Sequence, residues 1–252
     1  MPNPAETIAG NLARLQDRIS AAANEAGRSL DAVRLVAVTK YVGRDEAAAL
    51  LAAGCNDLGE SRPQELWAKA DAPALAGAQW HLVGHLQRNK VRRTLPVASL
   101  IHSVDSERLL AAIDAEAKRT LAATPAIIAT PAIKATRTLG ASGSPERAGS
   151  LGSPVDILLE INCSGELAKH GLSPDAAVEL VPRLTEWPHV HVRGLMTMAS
   201  RLGGRGAARQ AFAALRKLRD RLQPLCPTGT TLDELSMGMS GDFEEAIREG
   251  AT

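Results

Sequence analysis

The sequence predicts an α/β fold of the (β/α)8 barrel type, because short apolar runs alternate with helical segments along most of its length. Seven strand-like runs separated by helices indicate a parallel sheet, and 252 residues is a length typical of one barrel domain. In such barrels the chemistry lies at the C-terminal ends of the strands. An eighth strand is expected after Gly250, yet the sequence ends at Thr252, so we expect that strand to be missing.

The N-terminal part begins with a predicted helix over residues 7–26, in which apolar side chains recur at helical spacing before Gly27. The apolar, β-branched run from Leu35 to Thr39 predicts the first strand, buried on both faces as in many parallel sheets. An Ala/Leu-rich helix over residues 44–53 follows, and residues 55–58 are the second predicted strand.

A capping box marks the next helix, since Ser61 can cap it and Gln64 can reach back to the Ser61 amide. The third and fourth strands are predicted at residues 80–83 and 100–104, and the fourth leads into a helix that runs through Ala117. These segments continue the alternation of strand and helix that defines the fold class.

From about Thr120 to Pro154 the periodicity is lost, and the composition turns to Ala/Thr/Pro and then to Gly/Ser/Pro/Arg. We interpret this stretch as a low-complexity surface insertion within one domain that spans residues 1–252. The alternation resumes after it. The elements predicted there are strands at 155–162, 191–197 and 231–236, and helices at 175–184, 207–222 and 242–249.

The composition argues against several classes of protein. Lys+Arg (29) and Asp+Glu (28) nearly cancel, and aromatic residues make up only 2% of the chain, so no nucleic-acid partner is expected. With 45% hydrophobic residues and so few aromatics, the core should consist of Ala, Leu, Val and Ile. The three cysteines are widely spaced, and neither a secretory signal nor a membrane-spanning run is apparent, so we expect a cytoplasmic protein with no membrane partner.

No metal site is expected. The histidines that come closest to suggesting one are His81, His85 and His102, and no carboxylate or cysteine stands at ligand spacing beside them in the sequence.

Lys40 ends the first predicted strand, where a lysine is unusual unless its amine has a partner or a chemical role. A neutral lysine forms imines with carbonyl compounds, which near neutral pH requires a pKa of roughly 7–8 rather than the ordinary value of about 10.4. Desolvation at a barrel mouth can supply this shift, which corresponds to roughly 3–5 kcal/mol. The alternative is a lysine whose stem packs while its amine reaches water.

Residues Ser236 to Gly241 form a Gly/Ser turn that leads directly into the last predicted helix, an arrangement that can bind phosphate. The N–H groups at the start of that helix and the Ser240 hydroxyl would face the anion. An ordinary N-cap serine is the alternative explanation, and the acidic residues from Asp242 onward can equally cap the helix.

Several segments, taken in order, resemble the pyridoxal phosphate homeostasis proteins, a family related to the barrel domain of alanine racemase. The resemblance covers nearly the whole chain except the N-terminal helix and the insertion. The segments are 35–40 (LVAVTK), 58–65 (LGESRPQE), 80–90 (WHLVGHLQRNK), 101–105 (IHSVD), 161–162 (IN), 169–171 (KHG), 192–198 (VRGLMTM) and 235–242 (LSMGMSGD).

The resemblance implies a barrel of the alanine racemase N-terminal type that holds pyridoxal 5′-phosphate (PLP) as an imine on Lys40. His81 and Ser61 would lie near the PLP ring, and no residue is assigned a catalytic role. The implied function is intracellular PLP homeostasis as a carrier or regulator without turnover, with PLP-dependent apo-enzymes as candidate protein partners. We also expect a monomer. The residues implied to hold the phosphate are Ser236, Gly238, Met239, Ser240 and Gly241.

Two departures from the family pattern bear on these expectations. Ser61-Arg62 replaces the Asn-Tyr pair that usually follows Gly-Glu, so a ring contact from that asparagine is in question. The last strand of the family, with its Arg-x-Gly-Thr/Ser phosphate motif, is not in the sequence.

The alternative function is a PLP-dependent amino-acid racemase. A two-base racemase needs a second proton donor, and the single tyrosine, Tyr41, is adjacent to Lys40 and should point to the opposite face. An aldolase that forms a Schiff base without a cofactor would also use Lys40, but it leaves the turn at residues 236–240 without a role.

Overall fold

The structure is a computed structural model that describes residues 4–123, 154–163, 170–200 and 203–252. Seven parallel strands form one sheet in the order of the sequence, with a helix after each strand. The strands are β1 (Ala37–Val38), β2 (Asp57–Glu60), β3 (Gln79–Leu82), β4 (Leu100–Val104), β5 (Val155–Glu160), β6 (Val190–Met196) and β7 (Glu234–Ser236). The α-helices are α1 (Pro4–Glu25), α2 (Arg44–Ala52), α3 (Pro63–Ala70), α4 (Val91–Thr94), α5 (Glu107–Ala123), α6 (Pro174–Leu180), α7 (Gly204–Leu222) and α8 (Phe243–Arg248).

The predicted α/β class and the parallel, sequential strand order are confirmed. The expectation that the first strand is buried on both faces is wrong. β1 has only two residues, and the side chain of Val38 is 46% exposed, whereas Thr39 just after it is buried. The reason is position, since β1 is an end strand of the sheet and no described strand pairs with its outer edge.

Most helices differ from their predicted bounds by a few residues, and two of these differences bear on the expectations above. α5 continues to Ala123, beyond the predicted end at Ala117, and α8 begins only at Phe243. The rest of the predicted insertion, residues 124–153, lies outside the described residues. None of the described helices is both long and apolar enough to cross a membrane.

The main core lies between the sheet and the surrounding helices. Leu58, Leu82 and Ile101 on neighbouring strands are fully buried there against helix residues such as Leu66 and Leu110. Aliphatic side chains dominate, as the composition predicted, and full burial of each contributes roughly 1.5–3 kcal/mol. The sequence analysis did not place the three tryptophans in this core, but all three belong to it: Trp67, Trp80 and Trp187.

The sheet curls until the C-terminal residue lies between its two ends. The Thr252 amide donates to the Leu235 carbonyl of β7 at 3.1 Å, and the Arg34 amide, shortly before β1, donates to the Thr252 carbonyl at 2.6 Å. The Thr252 hydroxyl also accepts a hydrogen bond from the Leu235 amide at 2.9 Å. This curvature turns one face of the sheet into an interior, which holds both polar side chains, such as His81, and apolar ones, such as Leu158.

We predict that Gly194 on β6 tolerates no side chain. A Cβ atom there would meet the Glu234 carbonyl oxygen of β7 at 1.8 Å, so the two strands would have to separate. Gly194→Ala should lower the free energy of unfolding, measured with denaturant, by about 1–3 kcal/mol or more.

The control for this substitution is Gly206→Ala on α7, where a Cβ atom would meet nothing within 4 Å. Because alanine forms helices better than glycine, this variant should gain up to about 1 kcal/mol. Equal stabilities of the Gly194 and Gly206 variants would contradict the pairing of β6 with β7.

Candidate functional site

Lys40 follows Val38, the last residue of β1, by two positions, and its side chain is exposed. Its Nζ atom lies 5.2 Å from the centroid of the Tyr41 ring, and Tyr41 is 88% exposed. The expectation that Tyr41 points away from Lys40 is therefore wrong, because β1 ends at Val38 and the alternation of a strand does not extend to these two residues. Because the Lys40 side chain is exposed, the desolvation expected for its amine is not supplied by the described residues. The physical reason is the same as for Val38, because an end strand leaves one side of Lys40 uncovered.

The backbone just before Lys40 is held by a buried ion pair. Lys69 of α3 donates one hydrogen bond to the Thr39 carbonyl at 2.7 Å and another to Oε1 of Glu60 at 2.5 Å. The Thr39 hydroxyl donates to the same carboxylate oxygen at 2.7 Å. The side chains of Lys69 and Glu60 are only 7% and 0% exposed, so these bonds act in a low dielectric and fix the end of β1.

The sequence analysis assigned no role to Lys69 or Glu60, although a signal was present. Lys69 follows the buried Leu66 by three residues on α3, which places it on the buried face of that helix. A buried lysine needs an acidic partner, and Glu60 ends the strand that precedes α3. The Oε2 atom of Glu60 is buried and has no hydrogen-bond partner among the described residues.

A line of four polar side chains crosses the interior of the curled sheet, and we call it the interior array. His81 of β3 contacts Asp57 of β2 through Nε2 at 2.9 Å and His102 of β4 through Nδ1 at 2.8 Å. His102 in turn contacts Oγ of Ser236, at the end of β7, through Nδ1 at 2.8 Å. Both imidazole rings are at most 3% exposed. The array therefore links predicted site residues that lie far apart in the sequence.

Charged residues lie beside the interior array, near Asp57 at one end of it and near Glu234 on β7. Arg34 approaches Asp57 at 3.9 Å and pairs with Glu234 at 3.1 Å. Arg193 of β6 also pairs with Glu234 at 3.1 Å and approaches Asp156 of β5 at 3.7 Å. These alternating charges pair at partly exposed positions, where a single ion pair contributes only roughly 0–1 kcal/mol.

The turn after β7 has the conformation that the Gly/Ser pattern suggested. Gly238 has a φ of 91°, which favours glycine, and a Cβ atom there would meet the Ala246 side chain at 2.7 Å. The amides of Ser240 and Gly241 make no hydrogen bond to another residue that the structure describes. This turn, Ser236 to Gly241, therefore presents free donors at the C-terminal edge of the sheet.

Ser240 is not the N-cap of the last helix. Asp242 holds that position, and its Oδ1 atom accepts a hydrogen bond from the Met239 amide at 2.5 Å. The capping alternative for Ser240 is thus wrong, because the helix starts two residues later than that alternative requires. The Ser240 hydroxyl remains exposed at the turn.

Ser61 lies at the same edge, after β2, and packs against the end of β3. A Cβ atom on Gly84 would meet the Ser61 carbonyl oxygen at 2.1 Å, so only glycine allows this close approach. Ser61 follows β2, and the buried His81 lies on the neighbouring strand β3. The predicted capping box at Ser61 is wrong, because α3 begins at Pro63, so that Arg62 is the N-cap residue, and no side chain caps the helix.

One group of side chains in the described part of the chain has the arrangement of metal ligands. His85 contacts Asp105 at 3.0 Å, His170 lies 3.7 Å from the same carboxylate oxygen, and the three ligand atoms lie within 4.8 Å of one another. The fold thus brings a carboxylate to His85 that the local sequence does not place there. His81 and His102 do not belong to this group, because their ring nitrogens engage the interior array.

Glu160, at the end of β5, is a strand-end carboxyl that the sequence analysis did not select. Burial and, to a smaller extent, the negative charge of Asp105 raise the pKa of Glu160, while His170 lowers it, and together they bring this pKa to about 7. Its side chain therefore changes charge near neutral pH, unlike an ordinary glutamate.

Comparison with known proteins gives consistent matches over nearly the whole chain. Residues 10–250 match the family described as the alanine racemase N-terminal domain. A pyridoxal phosphate homeostasis protein of Aquifex aeolicus is 34% identical over 241 residues, covering 96% of this chain and 91% of that protein. The human pyridoxal phosphate homeostasis protein is 30% identical over 253 residues, covering 96% of this chain and 81% of that protein.

Solved structures agree with these sequence matches. The PipY protein of Synechococcus elongatus, in a structure with PLP bound, is 30% identical and has a TM-score of 0.74, covering 97% of this chain and 95% of that one. An alanine racemase of Streptomyces coelicolor has a TM-score of 0.61 at 17% identity, covering 93% of this chain and 55% of that one. The second likeness concerns the fold alone.

We predict that the buried ion pair before Lys40 is essential to stability. Lys69→Met should lower the free energy of unfolding by about 3–5 kcal/mol, because it leaves the Glu60 carboxylate buried without its cation. Adding Glu60→Gln to this variant should recover part of the loss. Lys118→Met, at an exposed lysine of α5, is the control and should change stability little. A Lys69 variant as stable as the Lys118 variant in denaturant unfolding would refute the role of the pair.

Proposed function

This chain belongs to the alanine racemase N-terminal domain family and, within it, to the pyridoxal phosphate homeostasis proteins, and we propose that it binds PLP at the C-terminal edge of its sheet. Lys40 supplies the amine for the PLP aldehyde, and the turn from Ser236 to Gly241 holds the phosphate. The observation that carries this proposal is that an accessible lysine and a turn with free donors lie at the same edge of one parallel sheet.

The residues at this edge suit the chemistry of PLP. The Lys40 amine can condense with the aldehyde with loss of water, and its backbone is fixed by the hydrogen bonds of Lys69 to Thr39 and Glu60. Because the end of β1 does not have to be ordered on binding, less conformational entropy is lost. The bound ring would itself cover the open side of Lys40 and supply desolvation that the described residues do not.

The turn after β7 offers the donors that a phosphate requires. The amides of Ser240 and Gly241 and the Ser240 hydroxyl can all donate, and Gly238 and Met239 give the turn its shape. Hydrogen bonds to a charged group contribute roughly 1.5–3 kcal/mol each. The acidic side chain of Asp242 is directed to the Met239 amide, which leaves the donors of the turn available.

We assign His81 and Ser61 to the support of the PLP ring. Ser61 lies at the strand-end edge beside Gly84, where it can contact a ligand bound over the sheet. His81 is buried and both of its ring nitrogens have partners within the protein, so it can support the ring only from the interior of the sheet. Its hydrogen bonds lead through His102 to Ser236, on the phosphate side of the proposed site.

The proposed role is to carry or buffer PLP without turnover, with PLP-dependent apo-enzymes as the recipients. Racemisation by two bases requires one group that removes a proton from one face of the substrate carbon and a second group that donates a proton to the other face. Tyr41, the single tyrosine of the chain, adjoins Lys40 and its ring is 88% exposed, so it is poorly placed to act across a ligand from that lysine. No described feature favours a racemase over a binding protein.

We predict that Lys40 is the residue that forms the imine with PLP. Treatment of the PLP complex with borohydride, digestion and mass spectrometry should place the pyridoxyl group on Lys40. Lys40→Ala should remove the absorption band of the imine and leave only that of the free PLP aldehyde. The other lysines serve as internal controls, since the same digest reports on each. A pyridoxyl group mainly on Lys69, Lys90 or Lys169 would overturn the assignment.

We predict that Ser240 contacts the phosphate. Ser240→Ala should weaken PLP binding by roughly 1.5–3 kcal/mol, the range for a hydrogen bond to a charged group, while the affinity for pyridoxal, which has no phosphate, changes little. Ser99→Ala is the matched control, because Ser99 precedes β4 at the N-terminal edge of the sheet, where it donates to Gln79. It should change the affinity for neither ligand. Equal weakening of PLP and pyridoxal by Ser240→Ala, measured by titration, would place the phosphate elsewhere.

A further inference from the structure

The interior array is the one buried chain of titratable groups that ends at the proposed phosphate turn in the part of the chain that the structure describes. It runs from Asp57 through His81 and His102 to Ser236, over three contacts of 2.8–2.9 Å. Aliphatic side chains would be enough to fill the interior of the sheet, and Leu100 and Leu158 do so at neighbouring inner positions. The direction of the hydrogen bonds in the array determines whether the Ser236 hydroxyl donates toward the turn or into the interior.

With both rings neutral, the proton positions in the array follow from counting. A carboxylate only accepts, so Nε2 of His81 donates to Asp57, and Nδ1 of His81 must accept from Nε2 of His102. The remaining nitrogen of His102, Nδ1, then accepts from the Ser236 hydroxyl. In this state the Ser236 proton is directed into the interior, and the oxygen offers only lone pairs to the turn.

One added proton on His81 reverses two of these bonds. As an imidazolium, His81 donates from both nitrogens, so His102 accepts at Nε2 and donates from Nδ1 to Ser236. The Ser236 hydroxyl is then free to donate toward the turn. His102 stays neutral in both states and only changes tautomer, which agrees with the lowering of the His102 pKa well below its usual range by burial and by the positive charges of His81 and Arg34.

We propose that the phosphate of PLP binds at Ser236 together with one proton, which is taken up by His81 and turns the Ser236 hydroxyl toward the ligand. This inference rests on the proposed function. A phosphate dianion carries only acceptors, so it is repelled by the Ser236 lone pairs of the neutral array and bound by the donor of the protonated array. His81 is then the residue that makes the turn selective for an anion.

The charges around the array support a proton on His81 when an anion is bound. Asp57 faces His81 from β2, the neutral His102 faces it from β4, and the phosphate would add negative charge at Ser236. Arg34, which precedes β1, opposes the proton, but its pairing with Glu234 of β7 offsets that charge. Proton and phosphate therefore favour each other's binding, as linkage requires.

The experiment is calorimetric titration of the full chain with PLP and with pyridoxal at pH 8, in buffers of different ionisation enthalpy. Free phosphate esters lose their second proton near pH 6, so the ligand is a dianion at this pH. The aldehyde chemistry at Lys40 is common to both ligands and cancels in the comparison. We expect PLP binding to take up about one proton more than pyridoxal binding.

His81→Gln is the test variant, since glutamine can bridge Asp57 and His102 without holding a proton. It should abolish the difference in proton uptake, whereas His191→Gln, which removes another histidine paired with an aspartate, should leave the difference unchanged. If the His81 variant does not fold, the pH dependence of ligand affinity in the unmodified protein still tests the inference. The ratio of PLP to pyridoxal affinity should then fall as the pH rises, by up to about tenfold for each pH unit.

Equal proton uptake for the two ligands, or an affinity ratio that does not change with pH, would overturn this inference while leaving PLP binding at Lys40 intact. Failure of the chain to bind PLP at all would instead refute the proposed function. A proton difference that persists in His81→Gln would also overturn the inference, because the proton would then reside on another group.

Discussion

The constraint on which this structure depends is that polar groups on the inner face of a curled sheet must satisfy one another. The curvature that brings β7 back toward β1 buries His81 and His102 and partly buries Asp57 and Ser236. A buried polar group without a partner costs roughly 1–3 kcal/mol. The interior array meets this requirement with one continuous line of hydrogen bonds. Any change that breaks one contact leaves its neighbours unsatisfied, so the array and the curvature stabilise each other.

The two halves of the proposed site are held by different means. At β1 a buried ion pair between Lys69 and Glu60 fixes the backbone before Lys40, although the lysine side chain itself stays exposed. At β7 the interior array holds Ser236, while the amides of Ser240 and Gly241 in the turn have no partner among the described residues. A rigid backbone with free donors and an accessible amine is what binding of a small phosphorylated aldehyde requires, since little order has to be created on binding.

Much of the fold was predictable from local pattern, whereas the contacts that build the site were not. The alternation of apolar runs and helices predicts the parallel sheet, and the position of Lys40 at a strand end follows from the same pattern. The contact between His102 and Ser236 joins residues 134 positions apart and exists only because the sheet curls, which no local pattern reports. The exposure of Val38 likewise depends on where the sheet ends, and the cap on α8 depends on a choice between Ser240 and Asp242 that the sequence left open.

The most direct test of this account is a crystal structure of the chain with PLP, at a resolution that distinguishes covalent from non-covalent contact. The account predicts continuous electron density between Nζ of Lys40 and the aldehyde carbon of PLP. It also predicts phosphate oxygens within hydrogen-bond distance of Ser236 Oγ and of the amides of Ser240 and Gly241. PLP bound away from the C-terminal edge of the sheet, or a phosphate that contacts none of these groups, would contradict it.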